Sequence, residues 1–199
     1  LPGFTVKQIE EWTAEPRRYG FHATLKAPFR LADGGDVSAV LAAAAEFSAL
    51  ELPVSTGAFA ARNIGNLIAL APLHQFDALA AFATRCVRHF DPFRAPMSEA
   101  ERSRRLKSNL TPRQIELMDS WGYPYVHEEF RFHMSLTGPL PLDVRASMLA
   151  AIEQRYAPIS AAVILDSICV CEQTSPESHF RLLQRFELCG GAALSTAST

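Results

Sequence analysis

Phe21-His22-Ala23-Thr24-Leu25-Lys26-Ala27-Pro28 and Phe132-His133-Met134-Ser135-Leu136-Thr137-Gly138-Pro139 are one pattern written twice within a chain of 199 residues. Side chains alternate faces along an extended segment. His22 and Thr24 therefore fall on one face of the first copy, and Phe21, Ala23 and Leu25 on the other. The second copy divides in the same way, His133 and Ser135 against Phe132, Met134 and Leu136. Each copy predicts a strand with an apolar face for the core and a second face carrying one imidazole and one hydroxyl. Laid side by side, the two strands bring two imidazoles and two hydroxyls to one spot.

The segments that follow each copy match as well. After Pro28 the Asp33-Gly34-Gly35-Asp36 turn offers an N-cap to a helix of about 14 residues ending near Leu50. After Pro139 and Pro141, Asp143 is placed to cap an alanine-rich amphipathic helix over 144–156. Strand-like runs come next, at 53–63 and 67–71 in the first half and at 159–172 and 179–188 in the second. Strand, helix, strand, strand occurring twice predicts a duplicated unit and a pseudo-symmetric, two-lobed sheet protein. Residues 1–20 read as irregular, with Pro2, Gly3 and Pro16, and end in the basic run Arg17-Arg18-Tyr19.

Residues 73–130 have no counterpart in the second half. Residues 74–90 read as an amphipathic helix, and Ser98-Glu99-Ala100-Glu101 has the form of a capping box opening a charged helix through Lys107. Thr111-Pro112-Arg113-Gln114 repeats that form, with proline at the first helical position, and opens a helix to about Ser120. Arg102, Arg104, Arg105, Lys107 and Arg113 suit a lid or a substrate-binding arm, and equally a solvated helical hairpin. One bilobed domain over 1–199 is expected, with a first lobe at about 17–90, a helical insertion at about 91–125 and a second-motif lobe at about 126–190.

With 48% hydrophobic and 20% charged residues, the chain can bury a core of ordinary size. A net charge of −2 speaks against a broad electrostatic footprint for double-stranded DNA or an acidic membrane, and points to a small substrate. Arginine supplies 16 of the 19 basic residues, which fits a coding bias toward Arg and Ala and also phosphate recognition by planar guanidinium groups. Cys86, Cys169, Cys171 and Cys189 show no CxxC spacing; buried, reduced thiols and a cytoplasmic protein are expected. No signal peptide is evident, and no apolar run approaches the roughly 18–20 residues of a membrane helix. The chain opens at Leu1 rather than Met, so a preceding piece is expected.

Opening a phosphodiester requires a base for the attacking oxygen, an acid for the leaving oxygen and groups that hold the phosphoryl oxygens. Histidine, with an ordinary pKa of about 6.5, serves as either base or acid near neutrality. His22 and His133 are therefore the candidate catalytic pair, and Thr24 and Ser135 the candidate phosphate-holding hydroxyls. Lys26 and Arg131 share the polar faces of their strands and could add positive charge. No metal and no cofactor is needed for this chemistry. His74, His89, His127 and His179 read as structural, and the chain has no Gly-rich phosphate loop, nucleophile elbow or clustered Cys/His set.

Arg18-Tyr19-Gly20-Phe21-His22-Ala23-Thr24-Leu25-Lys26-Ala27-Pro28-Phe29 and Phe130-Arg131-Phe132-His133-Met134-Ser135-Leu136-Thr137-Gly138 resemble the paired His-x-[Thr/Ser] strands of the two-histidine (2H) phosphoesterase superfamily. Within it, the chain is most similar to the branch encoded beside bacterial phosphonate-degradation genes. The resemblance implies two pseudo-symmetric α+β lobes with antiparallel sheets flanking a cleft, both motifs lining it, and metal-independent handling of cyclic phosphates or RNA 2′,5′-linked ends. Members usually begin with a strand before the first motif, which residues 1–20 do not supply, and the helical insertion lengthens the spacing between motifs. The expected function is a cyclic phosphodiesterase acting on a small ribose-type cyclic phosphate. The alternatives are an RNA 2′,5′-phosphodiesterase or ligase of the same fold, and a binding module for a nucleotide or an RNA end. In that module Arg17, Arg18 and the arginines of the insertion would track the backbone, while Tyr123 or Tyr125 stacks on a base. Arg18, Tyr19, Tyr123 and Tyr125 thus join Lys26 and Arg131 as candidate substrate contacts.

Overall fold

Thr5 and Gln8 exchange the reciprocal bonds of a capping box and start α1 (Val6–Trp12), which α2 (Ala14–Arg17) follows at once. Residues 1–20 are thus mostly helical rather than irregular. Pro16 is tolerated because it lies in the first turn of α2, where an N–H has no intrahelical partner to lose. These and the following elements come from a computed structural model that describes residues 1–74, 76–156, 159–175 and 177–190.

α3 (Val37–Leu50) begins where the sequence predicts, the Asp36 carboxylate accepting from the Ser38 N–H at 3.1 Å. A hairpin of β1 (Val54–Ile64) and β2 (Leu67–Pro72) leads to α4 (Asp77–Phe90). Both predicted capping boxes are formed, at the heads of α5 (Glu99–Arg105) and α6 (Pro112–Trp121). Gly122, left-handed at φ 78°, stops α6 and frees its end carbonyl Met118 to accept from the Gly122 N–H. β3 (Met134–Ser135) precedes α7 (Leu142–Arg155). Pro141, not Asp143, is the N-cap of α7; Asp143 sits inside the first turn, where its charge meets the positive end of the helix dipole.

β4 (Ile159–Leu165), β5 (Ser167–Glu172) and β6 (Arg181–Glu187) complete an α+β fold. One sheet has the order β3-β2-β1-β4 and the other pairs β5 with β6, every pairing being antiparallel. The run 159–172, expected as one strand, breaks at Asp166, so that β4 joins β1 while β5 turns to β6. The larger sheet also draws strands from both halves of the chain. The repeat in the sequence therefore does not divide the molecule into one sheet per half.

The main core cluster joins α3 and α4 through Phe47, Phe82 and Phe90, and takes in Phe59 of β1, Ile168 of β5 and Phe186 of β6. Burying each such side chain contributes about 1.5–3 kcal/mol. β5 turns Ile168 and Val170 toward this cluster, and alternation leaves Cys169 and Cys171 exposed, contrary to the expectation of buried thiols. Cys86 is buried, and burial pushes its thiol up to about 12. Among the described residues no helix is long and apolar enough to cross a membrane.

The first motif departs most from expectation, since residues 21–28 enter no ladder. Pro28 has no N–H to contribute, and Lys26 is drawn aside to Asp91 at 2.7 Å. Its apolar side docks all the same. Ala23 and Leu25 pack on the cluster that also receives Phe132 and Met134 of the second motif. Phe21 leaves that side and is 67% exposed.

Candidate functional site

Gly20, left-handed at φ 72°, turns the chain from α2 into the first motif and points its carbonyl at His22. His22 Nδ1 lies 2.9 Å from that oxygen, and its Nε2 lies 2.9 Å from Thr24 Oγ1. In the second motif His133 Nδ1 lies 2.6 Å from the Arg131 carbonyl. A carbonyl oxygen only accepts, so each Nδ1 carries a proton and donates it two residues back. Nε2 is thereby left as the nitrogen that can exchange a proton; in His22 it lies against the Thr24 hydroxyl. A loop and a short edge strand thus hold their imidazoles by the same device.

The second motif is tied down further along. Ser135 stands opposite Ala69 in the pairing of β3 with β2 and is half-buried. Buried Thr137 accepts from the Ile68 N–H at 3.0 Å, and the Gly138 N–H donates to the Trp12 carbonyl at 2.7 Å, which anchors the motif to α1. Among the described residues His133 has no side-chain bond to Ser135, and no hydrogen bond or ring contact joins the two imidazoles. Their apolar flanks meet in the one core cluster.

Tyr19 stacks on His22 with centroids 5.7 Å apart and planes 14° apart, and on Phe180 at 4.8 Å and 19°. The Phe180 N–H also donates to the Arg18 carbonyl at 2.8 Å, so the entrance to β6 braces the arm that carries His22. Nothing in the sequence distinguishes Phe180 from a core aromatic at a strand entrance. Burial raises the Tyr123 hydroxyl above its ordinary range. Tyr123 meets Tyr125 edge-on at 5.6 Å, and the Arg105 guanidinium lies 5.4 Å over the Tyr123 ring. Of the candidate contacts, Tyr19 therefore stands against His22, while Tyr123 and Tyr125 pair with each other beside Arg105.

Lys26 and Arg131 are held elsewhere. Lys26 is in an ion cluster with Asp91, which also holds Arg94 at 2.9 Å. The Arg131 guanidinium folds back on the Glu128 and Phe130 carbonyls, at 2.9 Å each. It lines a cavity of about 760 Å³ together with Arg62, His74, Phe132 and Glu153, and neither His22 nor His133 lines that cavity. His22 and His133 lie outside this cavity, each with one ring nitrogen held by a backbone carbonyl. His89 Nε2 donates to the Ala43 carbonyl, 3.0 Å away, and its ring packs against Phe47 and Phe90. His127, at φ 54°, packs edge-on against Trp121, and desolvation lowers its pKa. Among the described residues no three His, Cys, Asp or Glu side chains gather as a metal site.

Residues 24–181 match the family model described as "Protein of unknown function (DUF1045)". The chain belongs to that family. The match takes in His133 and Ser135 and opens two residues after His22. Over 96% of its length, this DUF1045 chain is 37% identical to a protein of Janthinobacterium sp. (strain Marseille) named ribose 1,5-bisphosphate phosphokinase PhnN, of which it covers 43%. A protein of Laribacter hongkongensis (strain HLHK9) with the same name is 36% identical over 64% of the chain, which covers 29% of it. The chain spans less than half the length of these curated relatives.

Proposed function

We propose that the chain is a metal-independent cyclic phosphodiesterase of the two-histidine type, acting on a small phosphorylated ribose. The observation that carries this reading is the matched anchoring of His22 and His133, each with Nδ1 spent on the carbonyl two residues back, which leaves Nε2 for proton exchange, in His22 beside the Thr24 hydroxyl. One neutral imidazole takes a proton from water as its oxygen attacks phosphorus. The bond from phosphorus to one ring-closing sugar oxygen breaks, and that oxygen takes a proton from the other imidazole in its protonated form. The products are a phosphate monoester and a free sugar hydroxyl. Thr24 and Ser135 hold non-bridging oxygens as charge builds on them.

The names of the relatives support phosphorylated ribose as the substrate class. They also say kinase, and there we part from them. Transfer from a nucleotide ordinarily relies on a Gly-rich phosphate loop, which this chain does not have. The chain also covers at most 43% of either relative, so their named activity need not be seated in the matched part.

The test is turnover of ribose 1,2-cyclic phosphate and 2′,3′-cyclic nucleotides in EDTA. His22→Ala and His133→Ala should each lower kcat by about 10²–10⁴-fold while the protein stays folded. Turnover that requires an added divalent ion, or that survives in both variants, overturns the mechanism. Preference for the nucleotides would move the substrate toward RNA ends.

A further inference from the structure

The two imidazoles share a backbone anchor but not a support. His133 directly precedes β3, whose Met134 and Ser135 pair with Leu70 and Ala69. Thr137 and Gly138 fasten the same segment to β2 and α1. Strand pairing thus fixes the backbone that presents His133. The first motif has no such backing, since among the described residues 21–28 pair with no strand, and His22 is exposed. A surface imidazole on an unpaired segment changes rotamer readily unless its own contacts hold it.

Three contacts hold His22. The Gly20 carbonyl lies at Nδ1, the Thr24 hydroxyl at Nε2, and the Tyr19 ring against its face, 5.7 Å away by centroids and 14° from parallel. Two hydrogen bonds made in the plane of a ring leave it able to tilt about the line joining its nitrogens. A stacked aromatic face resists that tilt. Tyr19 is exposed as well, and its own partner is Phe180, at 4.8 Å and 19°. Phe180 is fixed in turn, because its N–H donates to the Arg18 carbonyl at 2.8 Å and it directly precedes β6. There Arg181 pairs with Glu172 both in the ladder and as an ion pair at 2.9 Å, and Gln173 donates to the Ser178 carbonyl at 2.8 Å. A succession of near-parallel rings, Phe180 to Tyr19 to His22, therefore runs from the end of the β5–β6 hairpin to the imidazole.

We infer that Tyr19, set by Phe180, is a positioning residue for His22, giving the first motif the orientation that strand pairing gives the second. The role of His22 that it serves rests on the two-histidine reading. Tyr19 acts by its ring and through His22, not by contact with the substrate and not by its hydroxyl. The β5–β6 hairpin, far along the chain from His22, thereby takes part in orienting it.

The experiment measures turnover of ribose 1,2-cyclic phosphate and 2′,3′-cyclic nucleotides by wild type, Tyr19→Leu, Tyr19→Phe and Phe180→Leu. On the same full-length proteins, labelled with nitrogen-15, the histidine rings are observed by NMR in alkaline buffer, the His22 signals being assigned by their loss in His22→Ala. Tyr19→Leu should lower kcat by about 10–100-fold while KM stays within about twofold. Tyr19→Phe, which keeps the stack, should restore most of the loss, and Phe180→Leu should give a smaller fall of the same kind. In wild type the His22 ring protons should be shifted upfield by the neighbouring ring and its nitrogens should report the Nδ1–H form. In Tyr19→Leu both signatures should move toward those of a free imidazole. The signals of His133, and of His89 packed against Phe47 and Phe90, should stay in place and report an intact fold. A raised KM with unchanged kcat in Tyr19→Leu would make Tyr19 a substrate contact and overturn the inference, with the two-histidine mechanism standing. A loss in Tyr19→Phe equal to that in Tyr19→Leu assigns the effect to the hydroxyl and overturns it too. Absence of turnover by wild type on every cyclic phosphate overturns the two-histidine reading, and the spectra then decide alone. His22 signals that are the same in wild type and Tyr19→Leu remove the positioning role, and signals that move while His133 and His89 do not retain it.

Discussion

Replacing Lys26 with methionine separates two roles that the sequence leaves open, substrate contact and internal ion pair. The Lys26 side chain is 9% exposed, and its Nζ is 2.7 Å from Asp91 Oδ1. Asp91 also accepts from Arg94 Nε at 2.9 Å and from Arg94 Nη2 at 3.3 Å. A hydrogen bond to a charged group is worth about 1.5–3 kcal/mol when its removal leaves the partner unsatisfied. Here Arg94 keeps the carboxylate satisfied, and methionine keeps the packing of the stem while shedding the cost of a desolvated ammonium. The net loss expected for Lys26→Met is about 1–2 kcal/mol. Asp91→Asn is the harsher change, because it leaves two half-buried cations without their shared anion; about 3–5 kcal/mol is expected.

The titration behaviour of the pair agrees with that asymmetry. Burial pushes the Lys26 ammonium down against the pull of Asp91. On Asp91 burial alone would raise the carboxyl, but the bonds from Arg94 and Lys26 override it and hold it low. Urea unfolding of both variants, with KM measured on the same samples, checks the reasoning. An unchanged midpoint for Lys26→Met together with a raised KM would refute it and return Lys26 to the substrate.

Two further outcomes are expected. The Arg30 side chain and the Ser98 backbone hold Glu101 at about 2, against about 4.3 for an unstructured glutamate; its stabilising contribution is complete above the latter value and disappears as pH falls toward the former. Glu101→Gln, which preserves the capping box, should flatten the fall in stability across that window in acid unfolding curves, and an unchanged slope would exclude the ion pair as its source. Gly57 sits at φ 70° in the bulged part of β1, and a Cβ there would collide with the Phe76 ring. Gly57→Ala should therefore cost about 1–3 kcal/mol in thermal or urea unfolding, and a neutral result would show that the ring yields freely.

Local signals were legible wherever one short segment contains all its own partners. The Asp36, Ser98 and Thr111 caps were readable because the capping side chain and the N–H it receives lie two or three residues apart. Thr5 and Gln8 carry the same signal, masked in the sequence by the helix breakers Pro2, Gly3 and Pro16 around it. The alternation of the second motif also held, since Phe132 and Met134 enter the core. That of the first failed as a strand, because Lys26 finds its partner 65 residues away and no sequence pattern announces that attraction.

The candidate site divides along the same line. His22, Thr24, His133 and Ser135 were set by the sequence alone, as residue types at a spacing of two within a repeated frame, and the anchor of each imidazole is equally local, a carbonyl two residues back. Only the tertiary structure decided what surrounds them. Phe180 reaches Tyr19, and Lys26 is spent on Asp91, through contacts that depend on how distant segments pack. Chemistry carried by neighbours in the chain follows from spacing and backbone geometry. Charge that is spent or left available depends on three-dimensional distances, and those are fixed when the core closes.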